Sequence, residues 1–293
     1  MGEYSLFTGC LIPFRLPHLE RAARLALNAL GIAVRDLEDA SCCGDPIVLR
    51  SINEDTWLAV AARNICLAEE KGLNLLVLCN GCYESLKTAN IMLKENERLR
   101  SSVNEVLSGL GLEFNGKIEV LNFLEVLDRE LGLNGVRRMV KYPLRGLHVA
   151  VHYGCHMLRP SEYLKFDDVY SPSVFDMYVE ALGLKSVPYL NRMLCCGAGL
   201  SIVDREASLK LVKEKLSAVK AAGAEALVVL CPFCYQQYDL GQKSIKQPNG
   251  ERFNIPVFYY PELLCLSLGY SPDELGLKYH STKVAPVLEK LAP

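Results

Sequence analysis

The chain lacks any apolar run long enough to cross a bilayer: its longest, such as Ala226 to Cys231, fall far short of the roughly 20 residues a spanning helix needs. It also lacks the basic stretch and apolar core of a signal peptide, because Met-Gly-Glu-Tyr-Ser-Leu runs straight into a strand-like segment. Leu6 stands where a myristoylation signal needs a hydroxyl residue. There is no excess of charge: the formal net charge is -2, which gives no electrostatic footprint for nucleic acid. Half of the residues are hydrophobic, which excludes a disordered chain. Together these absences predict a cytoplasmic protein, bound to neither membrane nor nucleic acid, whose thiols stay reduced.

Two further patterns are missing. The ferredoxin run of four closely spaced cysteines before a proline is absent, and so is the cysteine spacing of a zinc ribbon. Yet the chain has 12 cysteines, and ten of them form one pattern that occurs twice. The first copy is Cys10, a gap of 31 residues, the adjacent Cys42 and Cys43, a gap of 35, and Cys79 with Cys82. The second is Cys155, a gap of 39, Cys195 with Cys196, a gap of 34, and Cys231 with Cys234. Five thiols exceed what a tetrahedral zinc site uses, and an odd number cannot close into disulfides. Either Cys-x-x-Cys taken alone suits a redox dithiol, a zinc site or a cluster equally. The adjacent pairs and the duplication favour iron-sulfur chemistry, since neighbouring thiolates can bridge or terminate several irons.

The repeat extends beyond the cysteines. Tyr4 to Cys10 and Val149 to Cys155 read as strands ending Gly-Cys, followed by helical stretches at Leu19 to Leu30 and Ser173 to Leu182 that close Ala-Leu-Gly. After each Cys-Cys-Gly comes a helical run, Asp55 to Lys71 and Asp204 to Ala222, and then an apolar strand, Leu75 to Leu78 and Leu227 to Leu230. A last strand closes each half, Ile118 to Leu121 and Ile255 to Tyr260. Alternating strands and helices predict an α/β protein of two Rossmann-like lobes, residues 1–140 and 141–293, each with a parallel sheet and related by a pseudo-twofold repeat. Ligand sites in such sheets form at the carboxyl ends of the strands, so five distant thiols are expected to converge at one edge in each lobe.

On Gly9-Cys10, Ser41-Cys42-Cys43-Gly44, Cys79-Asn80-Gly81-Cys82-Tyr83, Gly154-Cys155-His156, Cys195-Cys196-Gly197 and Cys231-Pro232-Phe233-Cys234, the whole chain resembles the heterodisulfide reductase B subunits of methanogens. That family has two cysteine-rich Cys-Cys-Gly domains. The resemblance implies two noncubane [4Fe-4S] clusters, one on Cys10, Cys42, Cys43, Cys79 and Cys82 and one on Cys155, Cys195, Cys196, Cys231 and Cys234. It implies reduction of the mixed disulfide of coenzyme M and coenzyme B. With every Cys-x-x-Cys occupied, no free dithiol remains to attack the substrate, so the disulfide is expected between the clusters, each giving one electron and binding one sulfur. It also implies a flavin-bearing A subunit and a ferredoxin-like C subunit as partners, within an electron-bifurcating hydrogenase- or formate-dehydrogenase-linked assembly.

Other residues follow. His152 and His156, on either side of Cys155, are expected at the active site as proton donors to a leaving thiolate, while His148 reads as a polar strand end. Arg50, Arg159 and Arg192 lie near the motifs and are candidates for the anionic substrate ends, with solvated surface as the ordinary role of each. Cys66 and Cys265 stand outside the repeat and read as core thiols, and Pro272 to Pro293 as a packing or subunit-contact segment. Three other functions compete: the iron-sulfur electron-transfer subunit of another Cys-Cys-Gly oxidoreductase of lactate, glycolate or thiol-fumarate type, a metal-free dithiol oxidoreductase, and a structural zinc protein.

Overall fold

The structure, a computed structural model, describes residues 1–247, 250 and 252–291. Among these residues eight strands form two parallel sheets: β1 (Glu3–Phe7), β2 (Ala33–Asp36), β3 (Asn74–Val77) and β4 (Val120–Asn122) in one, β5 (His148–His152), β6 (Lys185–Ser186), β7 (Ala226–Val229) and β8 (Val257–Tyr259) in the other. Their orders are β2-β1-β3-β4 and β6-β5-β7-β8, the same arrangement twice. Matching registers confirm the repeat: Tyr4 pairs with Val34 and Asn74, and Val149 with Ser186 and Ala226. The Rossmann-like α/β architecture expected from the sequence is therefore present. Central strands β3 and β7 are covered on both faces, which is why their sequences are continuous apolar runs and do not alternate.

The strands before the first cysteine of each set stop earlier than expected. β1 ends at Phe7 and β5 at His152, because Gly9 (φ 71°) and Gly154 (φ 74°) turn the chain through the left-handed region and lift Cys10 and Cys155 out of the ladder. The helices that follow the Cys-Cys-Gly loops, Glu54–Glu70 and Arg205–Ala221, both contain 17 residues. Each starts at a side-chain cap, Asn53 accepting from the Thr56 N–H and Asp204 from that of Ala207. The repeats diverge after the Cys-x-x-Cys motifs. The first lobe builds helices Asn80–Glu95 and Glu97–Ser108, whereas the second has the short helix Pro232–Asp239.

The lobes share one hydrophobic core. Helix Tyr260–Leu268, after β8, packs against helix Pro17–Ala29 of the first lobe, where Cys265 Sγ donates to the Ala22 carbonyl at 3.2 Å. Buried Tyr259 donates to the Leu78 carbonyl at 2.6 Å, and Tyr178 to Asp128 at 2.7 Å. Such bonds across the junction, the first of them buried, fix the lobes relative to one another. The C-terminal stretch from Pro272 packs through Leu275, Leu277 and Val287; its last residues, Ala292 and Pro293, lie outside the described residues. Among the described residues, no helix is long and apolar enough to cross a membrane.

Candidate metal centre

Each repeat delivers its five cysteines to the carboxyl edge of its sheet. Cys10 and Cys155 follow the glycine turns after β1 and β5, the adjacent pairs sit in the loops after β2 and β6, and Cys79 and Cys231 cap the helices after β3 and β7. The two edges face each other, and all ten cysteines line a single cavity of about 150 Å³. At roughly 10–15 Å³ per water on this measure, the cavity has room well beyond a single solvent molecule. Cys79 Sγ and Cys231 Sγ are 4.0 Å apart across the lobes, as are Cys155 Sγ and Cys195 Sγ within the second set. Cys10 and Cys42 are exposed at the mouth, and Cys43, Cys79, Cys82, Cys196, Cys231 and Cys234 are buried below it.

This donor set fits an iron-sulfur group in three ways. First, the thiols are free and crowded. Hydrogen bonds from Cys10 and Cys43 draw Cys42 far below the ordinary thiol range, and those from Cys155 and Cys196 draw Cys195 down to about 2, while Cys10, Cys43, Cys155 and Cys196 are raised. A packed group of sulfurs that cannot all ionise unaided is one that cations relieve. Second, the backbone comes so close to the sulfurs that side chains are shut out: a Cβ on Gly9 would lie 2.9 Å from Cys82 Sγ, and one on Gly154 3.6 Å from Cys234 Sγ. Third, His152 is wholly buried, and neither ring nitrogen has a hydrogen-bond partner among the described residues. Its Nε2 lies 3.8 Å from the Cβ position of Gly154, beside the second set, and such an orphaned donor suits an acceptor such as sulfide.

The Cys-Cys-Gly loops are held by braces that the sequence did not reveal. In the first lobe, Trp57 Nε1 donates to Ser85 (2.7 Å), whose hydroxyl donates to the Cys43 carbonyl (2.7 Å). In the second, Gln237 donates to Ser208, whose hydroxyl donates to the Gly197 carbonyl at 2.8 Å. Both braces join the helix after the Cys-Cys-Gly to the helix after the Cys-x-x-Cys, but the relaying hydroxyl sits on opposite helices, Ser85 on the latter and Ser208 on the former. Only the offset between the halves, the same for Trp57 and Ser208 as for Asn53 and Asp204, could have signalled it.

The other expected site residues scatter. His156 lines the cavity, and its Nδ1 is 3.5 Å from the buried carboxylate of Glu84 in the first lobe. Burial disfavours its charge, but Glu84 outweighs that and raises its pKa. His152 lies beneath the cavity, edge-on to Tyr238 at 5.0 Å, and burial holds it well below the histidine range. His148 is at the exposed start of β5, near Glu225. Arg50 bonds Glu84 at 3.2 Å and stacks 4.5 Å over Trp57, Arg192 pairs with Asp176, and Arg159 donates to the Val169 carbonyl. Cys66 and Cys265 are core thiols, 1% and 0% exposed. Cavity-lining Asp45, Ile47, Ile202 and Phe233 were not anticipated, for they carry no pattern of their own.

The cysteine-rich domain family designated CCG matches residues 4–87 and 149–239. Over 99% of its length, the chain is 42% identical to the B subunit of the ferredoxin/F(420)H(2)-dependent CoB-CoM heterodisulfide reductase of Methanosarcina acetivorans, covering 97% of that protein. It is 38% identical to a protein of Archaeoglobus profundus that is itself like the heterodisulfide reductase B subunit, with 94% of each chain covered. It is 30% identical to the 8-methylmenaquinol:fumarate reductase membrane anchor subunit of Wolinella succinogenes, over 95% of this chain and 96% of that one. Among solved structures, a hypothetical protein from Helicobacter pylori shares the fold with a TM-score of 0.78 at 20% identity, and the chain spans 96% of its own length and 52% of that chain.

Proposed function

The chain belongs to the family of cysteine-rich CCG-domain proteins and, within it, to the heterodisulfide reductase B subunits; from that premise we propose that it reduces the mixed disulfide of coenzyme M and coenzyme B to the two thiols. It is an iron-sulfur oxidoreductase subunit of a larger complex. The observation that carries the proposal is one cavity lined by five cysteines from each repeat.

In this reading Cys10, Cys42, Cys43, Cys79 and Cys82 hold one noncubane [4Fe-4S] cluster, and Cys155, Cys195, Cys196, Cys231 and Cys234 the other. When bound, such clusters supply electrons one at a time and iron with affinity for sulfur, as two-electron cleavage of a disulfide requires. The chain's own groups do the rest. Helix N-termini at Cys79 and Cys231 favour anionic sulfur at the cavity floor. Ile47, Ile202 and Phe233 give the cavity an exposed apolar rim against which the apolar part of the disulfide can rest. His156, held by Glu84 at the wall, keeps a proton within reach of a departing thiolate; His152, lacking access to the cavity surface, serves as a hydrogen-bond donor from below. The partners in this reading are a flavin-bearing A subunit and a ferredoxin-like C subunit.

The test is protein prepared without oxygen, analysed for iron and sulfide and assayed with the coenzyme disulfide and a reduced viologen. Disulfide-dependent oxidation of the viologen is expected. Iron-loaded protein inert to this disulfide would favour a second reading, an electron-transfer subunit of a fumarate reductase system, which the similarity to the Wolinella protein keeps open.

A further inference from the structure

The two lobes repeat in topology but not in charge. Counted from Glu54 and from Arg205, Asn64 and Lys215 are both the eleventh residue of the 17-residue helix that braces a Cys-Cys-Gly loop. Asn64 accepts from the Ser41 N–H (2.9 Å) and donates to the Cys42 carbonyl (3.0 Å), so the first loop rests on a neutral amide. Lys215 is 0% exposed and donates to the carbonyls of Asn191 and Arg192, the latter at 2.7 Å, with its Nζ 5.2 Å from the Tyr189 ring centre. The second loop rests on a buried amine.

Among the described residues no carboxylate pairs with it. Asp176 is taken by Arg192, and among the described residues Lys215 makes no ion pair. In the first lobe the buried carboxylate of Glu84 is engaged by Arg50 and by His156. Burial pulls the Lys215 amine down to about 7, and the thiols of Cys234, Cys196 and Cys195 act in the opposite sense. An anionic centre on those sulfurs therefore keeps the ammonium charged, and the ammonium in turn stabilises added negative charge on that centre.

We propose that Lys215 is a potential-setting residue that makes the two metal centres unequal, the second being reduced more easily than it would be beside a neutral residue such as Asn64. The inference rests on the reading that each cysteine set holds an iron-sulfur cluster. It goes beyond that reading by giving the pseudo-symmetric pair a built-in order of reduction. A unit charge in a partly dry interior shifts a nearby one-electron equilibrium by about tenfold.

The experiment is a potentiometric titration of the full chain, loaded and handled without oxygen, comparing wild type with Lys215→Met and Lys215→Gln. The second centre's transition is identified as the one that Cys195→Ser removes or alters. Both lysine variants should keep iron and sulfide content while that transition alone falls by tenfold in equilibrium constant, ~59 mV for one electron. Glutamine keeps an amide donor for the loop carbonyls, as Asn64 does in the first lobe. Return to the wild-type potential in Lys215→Gln would therefore make the residue a mere brace and overturn the proposal. An unmoved transition in both variants would overturn it too, as would loss of the second centre from both. Wild-type protein without iron would instead overturn the reading of the cysteine sets.

Discussion

Cys79 Sγ and Cys231 Sγ meet at 4.0 Å across the lobe junction, each residue capping the helix that carries its own Cys-x-x-Cys. Two helix N-termini thus converge on one sulfur-rich floor, and the pair divides there: hydrogen bonds from Cys234 and Cys79 hold Cys231 well below the ordinary thiol range, while its contact with Cys231 raises Cys79. The contact depends on how the lobes are set against each other. Tyr259 bonds the carbonyl of Leu78, the residue just before Cys79, and so ties the end of β8 to the end of β3. The site belongs to the junction and to neither lobe alone.

Iron analysis is the first prediction. Protein prepared without oxygen should contain about eight irons per chain and a similar amount of sulfide, four of each per cysteine set. Zinc in place of iron would exclude the cluster reading.

Replacing Cys66 or Cys265 by serine should leave iron content unchanged. Cys66 is buried in helix Glu54–Glu70 and does not line the cavity that the ten cysteines of the repeat share. A serine at position 265 can still donate to the Ala22 carbonyl. Each variant should lose about 1–3 kcal/mol of stability for the buried hydroxyl, measured by thermal unfolding. Loss of a cluster from either would show that the division into ten and two is wrong.

Much of this was legible in the sequence because both signals repeat. The apolar runs of β3 and β7, the helical runs after each Cys-Cys-Gly and the ten cysteines each occur at matching positions, so one half checks the other. What stayed hidden does not repeat. Glu84 and His156 come from different lobes, and nothing in either segment indicates that they meet. Lys215 and Asn64 share a position but not a chemistry, so their equivalence emerges only from the helices that carry them. The strand ends were overextended because residues 8–10 and 153–155 continue the apolar pattern while their glycines turn the backbone away.

The buried pair of His280 and Glu262, 2.9 Å apart, predicts a pH effect on stability away from the cavity. Burial disfavours the imidazolium, but the Glu262 carboxylate outweighs it, and the histidine pKa is raised above 6.5. A raised folded-state value means that the stabilisation is complete below about 6.5, the unfolded value, and fades as pH climbs through the folded one. His280→Gln should therefore cost about 3–5 kcal/mol at acidic pH, where it strands a buried carboxylate, and less as the pH rises. Thermal unfolding of both proteins across the pH range checks this; a constant difference would show that the pair is not ionic.

His156→Ala should slow reduction of the coenzyme disulfide while iron and sulfide stay at wild-type levels. The side chain faces the cavity and borders the Cys155 position without supplying a sulfur. A missing general acid costs typically 10²–10⁴-fold. Wild-type turnover in a fully loaded variant would remove His156 from the mechanism.

The pseudo-twofold arrangement supports the sharpest prediction. If a disulfide lies between the two sets and each half takes one sulfur and supplies one electron, disabling either half should abolish cleavage and not halve it. Cys42→Ser and Cys195→Ser test this, because each residue is the first of its adjacent pair and the thiol held lowest among the pair and the upstream cysteine of its set. Each variant should lose or alter one centre spectroscopically and leave the other intact. Both should fall to background activity with the coenzyme disulfide. Retention of the other centre in each variant separates loss of activity from a defect in folding. Substantial turnover in either variant, with its altered centre confirmed, would reduce that half to a relay and end the two-centre mechanism.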